Sequence, residues 1–182
     1  MLCARVRRDL WYGNQLIMIW MLTVPPPDAT RTYFSRGWCS MEYGVGGLLT
    51  PGHKALDLGK LGDVNSLDVK TWFSGASKAN HIANRCASAR APPLAPEHFN
   101  AIMDEKTKDG KNKIEFSVES DRALIKDLYK TCFYSVIGNA QELVFKGLGW
   151  EFELGTLMPV LLEAKNLRLL DLSSNSLRGA QS

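Results

Sequence analysis

One carboxylate in this chain stands where a carboxylate could do chemistry. Glu42 closes the segment Ser35-Arg36-Gly37-Trp38-Cys39-Ser40-Met41-Glu42. With a helix starting near Ser35, whose hydroxyl suits a cap, Trp38, Met41, Val45 and Leu48 recur at intervals of three and four and make one apolar stripe. Glu42 falls on the edge of that stripe, bordering the interior. Burial penalises the ionised form of a carboxylic acid and raises its pKa, which makes Glu42 a candidate acid, base or ion-pairing group. The same residues also admit a structural reading, with Glu42 paired to a cation such as Arg36 and Trp38 as ordinary core.

Other residue types offer less. The four cysteines, Cys3, Cys39, Cys86 and Cys132, are widely spaced and fit no zinc pattern. Cys39 and Cys132 fall on apolar helical patterns and read as small buried hydrophobes, which suits a reducing, cytoplasmic compartment. His81 has no second ligand at a metal-binding spacing. Gly44-Val45-Gly46-Gly47 lacks the Lys-Ser/Thr of a phosphate-binding loop, and no Gly-x-Ser-x-Gly elbow occurs. Neither a metal nor a resident cofactor is expected. A net charge of +3 is too small to argue for nucleic acid, and Lys106, Lys108, Lys111 and Lys113 are interleaved with Asp104, Glu105 and Asp109 as in a solvated loop.

The elements that must position Glu42 start with Leu16–Val24, an apolar run broken only by Thr23, which predicts a strand buried on both faces of a parallel sheet. It is far too short to span a bilayer as a helix, and no membrane association is expected. Pro25-Pro26-Pro27 ends it. Gly44, Gly46 and Gly47 each cost roughly 1 kcal/mol relative to Ala in a helix interior and predict an early stop for the helix that carries Glu42. Ala55 to Leu58 reads as the next strand, and Ser66 caps a weaker helix through Leu67, Val69, Trp72 and Phe73. Arg90-Ala91-Pro92-Pro93-Leu94-Ala95-Pro96 reads as a boundary or linker, with Pro96 in the first turn of a short helix. The clearest helix starts at Ser120 or Asp121. Leu124, Ile125, Leu128, Tyr129, Cys132, Phe133, Val136 and Ile137 fill its apolar face, Arg122, Lys126, Asp127 and Lys130 its wet one, and Gly138 and Asn139 end it.

Buried strand, loop, Ser-Arg-Gly-Trp-Cys and a Glu three residues after the Cys together resemble the central segment of Toll/interleukin-receptor-type (TIR) domains. The resemblance covers about residues 16–49. It implies a partial TIR-like, flavodoxin-like parallel sheet with flanking helices. In the members that cleave NAD, the Glu of this motif is catalytic, so the resemblance carries that role to Glu42 alone, with NAD as substrate. Breaking the nicotinamide–ribose bond builds oxocarbenium-like charge, which a carboxylate beside the ribose can stabilise. Such a fold places two βα units before this strand, and only fifteen residues precede Leu16, so the chain reads as part of a longer protein.

The last third has another character. Leu167-x-x-Leu170-x-Leu172-x-x-Asn175-x-Leu177 matches the leucine-rich repeat consensus and resembles the first repeat of such an array. The resemblance implies leucines pointing into a solenoid core and an Asn bonded to backbone of the neighbouring turn. Thr156 to Ala164 resembles the short helix that packs on such a repeat, with Pro159 in its first turn. The expected fold class is therefore α/β: residues 1–90 a partial TIR-like region, 91–149 a helical connection, and 150–182 the start of a leucine-rich repeat region. The expected function is protein–protein interaction in intracellular signalling, through a protein partner bound beside the leucines at Arg168, Asp171 and Ser173, with self-association possible. The alternative is an NAD-cleaving glycohydrolase using Glu42.

Overall fold

The computed structural model describes residues 17–50, 54–62, 86, 90–151 and 154–176. The expectations for Leu16, for the helix from Ser66, for His81 and for Leu177 lie outside the described residues. Within them the architecture is mixed α/β with four α-helices. Strand β1 (Ile19–Met21) leads to helix α1 (Gly37–Leu49) and then to strand β2 (Ala55–Asp57), which pairs with β1 in parallel, Trp20 opposite Leu56. Helices α2 (Pro96–Asp104) and α3 (Asp121–Ile137) follow. The chain then forms a second strand–helix–strand unit from β3 (Glu142–Val144), α4 (Met158–Glu163) and β4 (Leu169–Asp171), again with parallel strands. The strands thus make two separate parallel pairs, not one sheet built around Leu16–Val24.

Strand β1 is shorter and wetter than its composition predicts. Met21 is buried, but Trp20, Leu22 and Val24 are 62%, 68% and 67% exposed, with Met18 beside them in the same alternating row. A strand is buried on both faces only when layers cover both. Among the described residues β1 has a single partner strand, and Pro25 ends the ladder four residues after Met21.

Helix α1 also departs from expectation at both ends. Ser35 does not cap it. The Ser35 hydroxyl donates to the Thr32 carbonyl at 3.1 Å, Arg36 takes the N-cap position, and the Gly37 N–H donates to the Glu115 carbonyl at 3.0 Å. A Cβ on Gly37 would meet the Phe116 ring at 1.9 Å, so that ring is what requires glycine there. At the other end the helix passes through Gly44, Gly46 and Gly47 to Leu49, against the early stop the glycines predict. Met41, Val45 and Leu48 are buried in the main core. Arg90 donates to the carbonyls of Gly47, Leu48 and Thr50, the last two at 2.8 and 2.6 Å. Burial of one stripe and satisfaction of the last carbonyls together outweigh weak helix propensity.

Helices α2 and α3 start where the sequence predicts. Ile125, Tyr129, Cys132, Phe133 and Ile137 form the buried stripe of α3. Phe99 stacks on Tyr129 with ring centroids 3.8 Å apart, and the Tyr129 hydroxyl donates to the Leu94 carbonyl. Arg122 does not belong to the wet face. It donates to the carbonyls of Met103 and Ile114 and lies over the Phe116 ring, 4.7 Å from its centre. One apolar core draws on Met41 and Leu48, on Phe99 and Phe133, and on Phe145, Leu157 and Val160.

Leu143 and Leu170 face each other across the β3–β4 pair, yet Leu143 is fully buried and Leu170 is 37% exposed. Truncating each to alanine therefore has unequal consequences. Leu143→Ala is expected to cost about 2–5 kcal/mol, the range for a leucine in a closed core. Leu170→Ala is expected to cost about 1 kcal/mol, as usual for a partly exposed side chain. Denaturant midpoints of the two variants test this, and a larger loss at Leu170 would contradict the packing described.

Candidate functional site

The β3–β4 pair builds a two-sided surface from simple alternation. Leu143 and Phe145 point into the core while Glu142, Val144 and Lys146 are exposed. On β4 the register places Leu170 on the side of Leu143, though it stays 37% exposed and only Leu172 packs against the core, and alternation sets Leu169, Asp171 and Ser173 on the other side. The register sets Glu142 opposite Leu169 and Val144 opposite Asp171. Val144 and Leu169 are therefore diagonal neighbours, close enough for side chains to be covered by one contact, and both are 46% exposed. Charges from Glu142, Lys146 and Asp171 flank this apolar pair.

Asn175 fixes the turn that carries this face. Its side-chain oxygen accepts from the Leu148 N–H at 2.9 Å, across 27 residues, and from the Trp150 N–H at 3.2 Å. Its amide donates to the carbonyls of Phe145 at 2.7 Å and Leu172 at 2.9 Å. The same 27-residue offset relates Leu143 to Leu170 and Phe145 to Leu172. Leu148 stands at the same offset from Asn175, the residue it bonds.

The three residues the sequence nominates for partner binding divide. Asp171 and Ser173 share the outer face, where the Ser173 N–H donates to the Asp171 carboxylate at 2.9 Å. Arg168 is exposed but precedes β4, tied by its backbone N–H to the Gln141 carbonyl at 2.7 Å. Val144, Leu169, Glu142 and Lys146 join the face without having been singled out by sequence. The signal for them is Leu143-x-Phe145-x-x-Leu148-x-Trp150, which repeats the spacing of the later leucines with different residue types.

Hydrogen bonds from Ser173, hydroxyl first and then backbone, together with the Lys146 charge hold the Asp171 carboxyl below the usual carboxylate range. A depressed folded pKa means that this contribution is present above the unfolded value of ~3.9 and is lost as pH falls through the lower folded value. An NMR titration of the Asp171 carboxyl is expected to show a midpoint below ~3.9. A midpoint at or above that value would contradict the bonding described.

Glu42 lies in the first half of α1 and is half-buried. Burial, and next the charge of Glu42, push the Cys39 thiol above its ordinary pKa, with Arg36 acting in the opposite sense. Cys39 is partly exposed rather than part of the core. Trp38 is not core either. It is 39% exposed and its indole N–H donates to the Asp121 carboxylate at 3.0 Å, linking the first turns of α1 and α3. The cavity on α1 is lined by Ser40, Tyr43, Gly44 and Gly47, and Glu42 does not line it. Among the described residues no group of three or more His, Cys, Asp or Glu is placed to hold a metal ion, and no helix is long and apolar enough to cross a membrane. No protein-family model, curated protein or solved structure matches the chain.

Proposed function

We propose that this chain is a protein-binding module of intracellular signalling, and that its partner seats on the outer face of the β3–β4 pair. One observation carries the reading: Val144 and Leu169, two large aliphatic residues, lie half-exposed and diagonal to each other between Glu142, Lys146 and Asp171. An apolar centre with a charged rim is the usual anatomy of a protein interface. The leucine-rich-repeat part of the proposal draws support from the parallel strands, the 27-residue offset and the five side-chain bonds of Asn175. Its TIR-like part rests on the Trp-Cys-x-x-Glu segment lying on the helix of a strand–helix–strand unit.

Affinity capture from cell extract, run in parallel with the intact chain and with a Val144→Glu/Leu169→Glu double variant, tests the proposal. Both substitutions are at half-exposed positions, so the variant is expected to melt close to the parent. Proteins retained by the parent and lost from the variant support the reading. Identical capture profiles from two equally folded proteins count against it.

A second reading, NAD cleavage, is favoured by the half-buried position of Glu42 on α1. Nicotinamide release by the purified chain, abolished in Glu42→Gln, is the outcome this reading expects. Equal release from parent and variant would sink it.

A further inference from the structure

Gly47 is not required by the packing of α1. A Cβ there would meet only the Ala91 carbonyl oxygen, at 3.8 Å, an ordinary contact. Glycine nevertheless weakens a helix interior relative to alanine, and what it leaves behind at this position is space. Gly47 and Gly44 border an open-mouthed cavity of about 240 Å³ between α1, the segment at Ala91 to Leu94, and helices α2 and α3. Four rings line it, those of Phe34, Tyr43, Phe99 and Tyr129, and no lining residue is charged.

The hydroxyls on the walls are engaged with backbone. Ser40 donates to the Phe34 carbonyl at 2.9 Å, Tyr129 donates to the Leu94 carbonyl at 2.8 Å, and the Tyr43 oxygen accepts from the Ala91 N–H at 3.1 Å. A charged ligand entering here would lose hydration and meet no counter-charge, which is costly. An uncharged ring would keep little hydration to lose and would find ring edges and faces to pack on. Size points the same way, since an apolar cavity of about 150 Å³ suffices for benzene. Phe34 and Ile102, 48% and 40% exposed, stand at the mouth.

We propose that this cavity is a binding site for an uncharged aromatic molecule of one or two rings. Neither Glu42 nor any residue of the β3–β4 face lines it, and it does not depend on either functional reading.

The test uses the full chain with toluene and naphthalene as probes and benzoate as the charged counterpart, read by thermal melting and by saturation-transfer NMR. Toluene or naphthalene is expected to raise the melting temperature by a few degrees and benzoate to leave it unchanged. Gly47→Leu adds a side chain at the cavity wall and is expected to weaken probe binding at least tenfold. Should that variant fail to fold, Ile102→Trp at the exposed mouth blocks entry with little demand on the core and is expected to give the same loss. The proposal is overturned if neither uncharged probe binds, if benzoate binds as well as they do, or if binding survives in a cooperatively melting Ile102→Trp protein.

Discussion

Replacing Arg90 with methionine is expected to destabilise the chain by about 3–5 kcal/mol, the range for losing one member of a buried, hydrogen-bonded charged group. Arg90 is 2% exposed, and its guanidinium serves three carbonyls at the end of α1. The carbonyls of Gly47 and Leu48 belong to the negative end of the helix dipole, and the face of Phe145, 4.8 Å away, supplies a further favourable contact. Burial pushes the guanidinium pKa down to about 9, which leaves the group charged at neutral pH. The backbone of Arg90 matters as well, because its carbonyl accepts the Trp150 indole N–H. One residue therefore joins the first strand–helix–strand unit to the second. Methionine fills a similar volume but leaves the carbonyls of Gly47, Leu48 and Thr50 without their donors. Lysine offers a point charge in place of a planar fork and is expected to recover less than half of the loss. Denaturant unfolding of Arg90→Met and Arg90→Lys checks both statements, and a loss under about 1 kcal/mol for methionine would mean the carbonyls find other partners.

The second large effect is expected at Asn175. Its side chain accepts from two backbone N–H groups and donates to three carbonyls, those of Phe145, Leu172 and, at 3.4 Å, Ser173. Leucine has a similar shape and none of the polar atoms, so Asn175→Leu removes a partner from five groups, of which the Ser173 carbonyl keeps the Gly147 N–H and the other four lose their Asn175 bond, part of them solvent-accessible. A loss of about 2–4 kcal/mol follows from the cost of unsatisfied polar groups, scaled down for partial exposure. Hydrogen exchange localises the effect: the Leu148 and Trp150 amides are expected to lose protection ahead of those in α3. Unchanged protection at both amides would contradict the assigned bonds.

Much of the local structure was legible in the sequence because it depends on near neighbours. Pro96 starts α2, Pro159 lies in the first turn of α4, and the apolar spacing of α3 finds Ile125, Tyr129 and Phe133. What escaped was set by distant partners. The segment after Arg90 has the composition of a linker, yet Arg90 is a buried staple because α1 ends where its side chain can reach. Arg122 has the spacing of a wet-face residue, but the Met103 and Ile114 carbonyls and the Phe116 ring draw it inward. Trp38 fits an apolar stripe and instead bonds Asp121 across 83 residues. Apolar content alone likewise misjudges β1, since burial depends on what packs over a strand.

The candidate site shows the same division. Asp171 and Ser173 were readable from the repeat consensus, since alternation along β4 places them on its outer side. Val144 and Leu169, which supply the apolar centre, needed the register between β3 and β4. Phe145, Leu148 and Trp150 keep the consensus spacing in residue types the consensus does not name, so only the register of β3 on β4 relates the two segments.

Site-specific photocrosslinking tests the proposed interaction most directly. A photoreactive phenylalanine analogue placed at Val144, at Leu169, or at Lys130 on the exposed side of α3 gives three proteins that differ only in where a partner is sampled. Adducts of one defined mass from positions 144 and 169, absent from position 130, are the predicted result. Equal adducts from all three positions, or none from the β3–β4 face, would contradict the assignment of that face as the interaction surface.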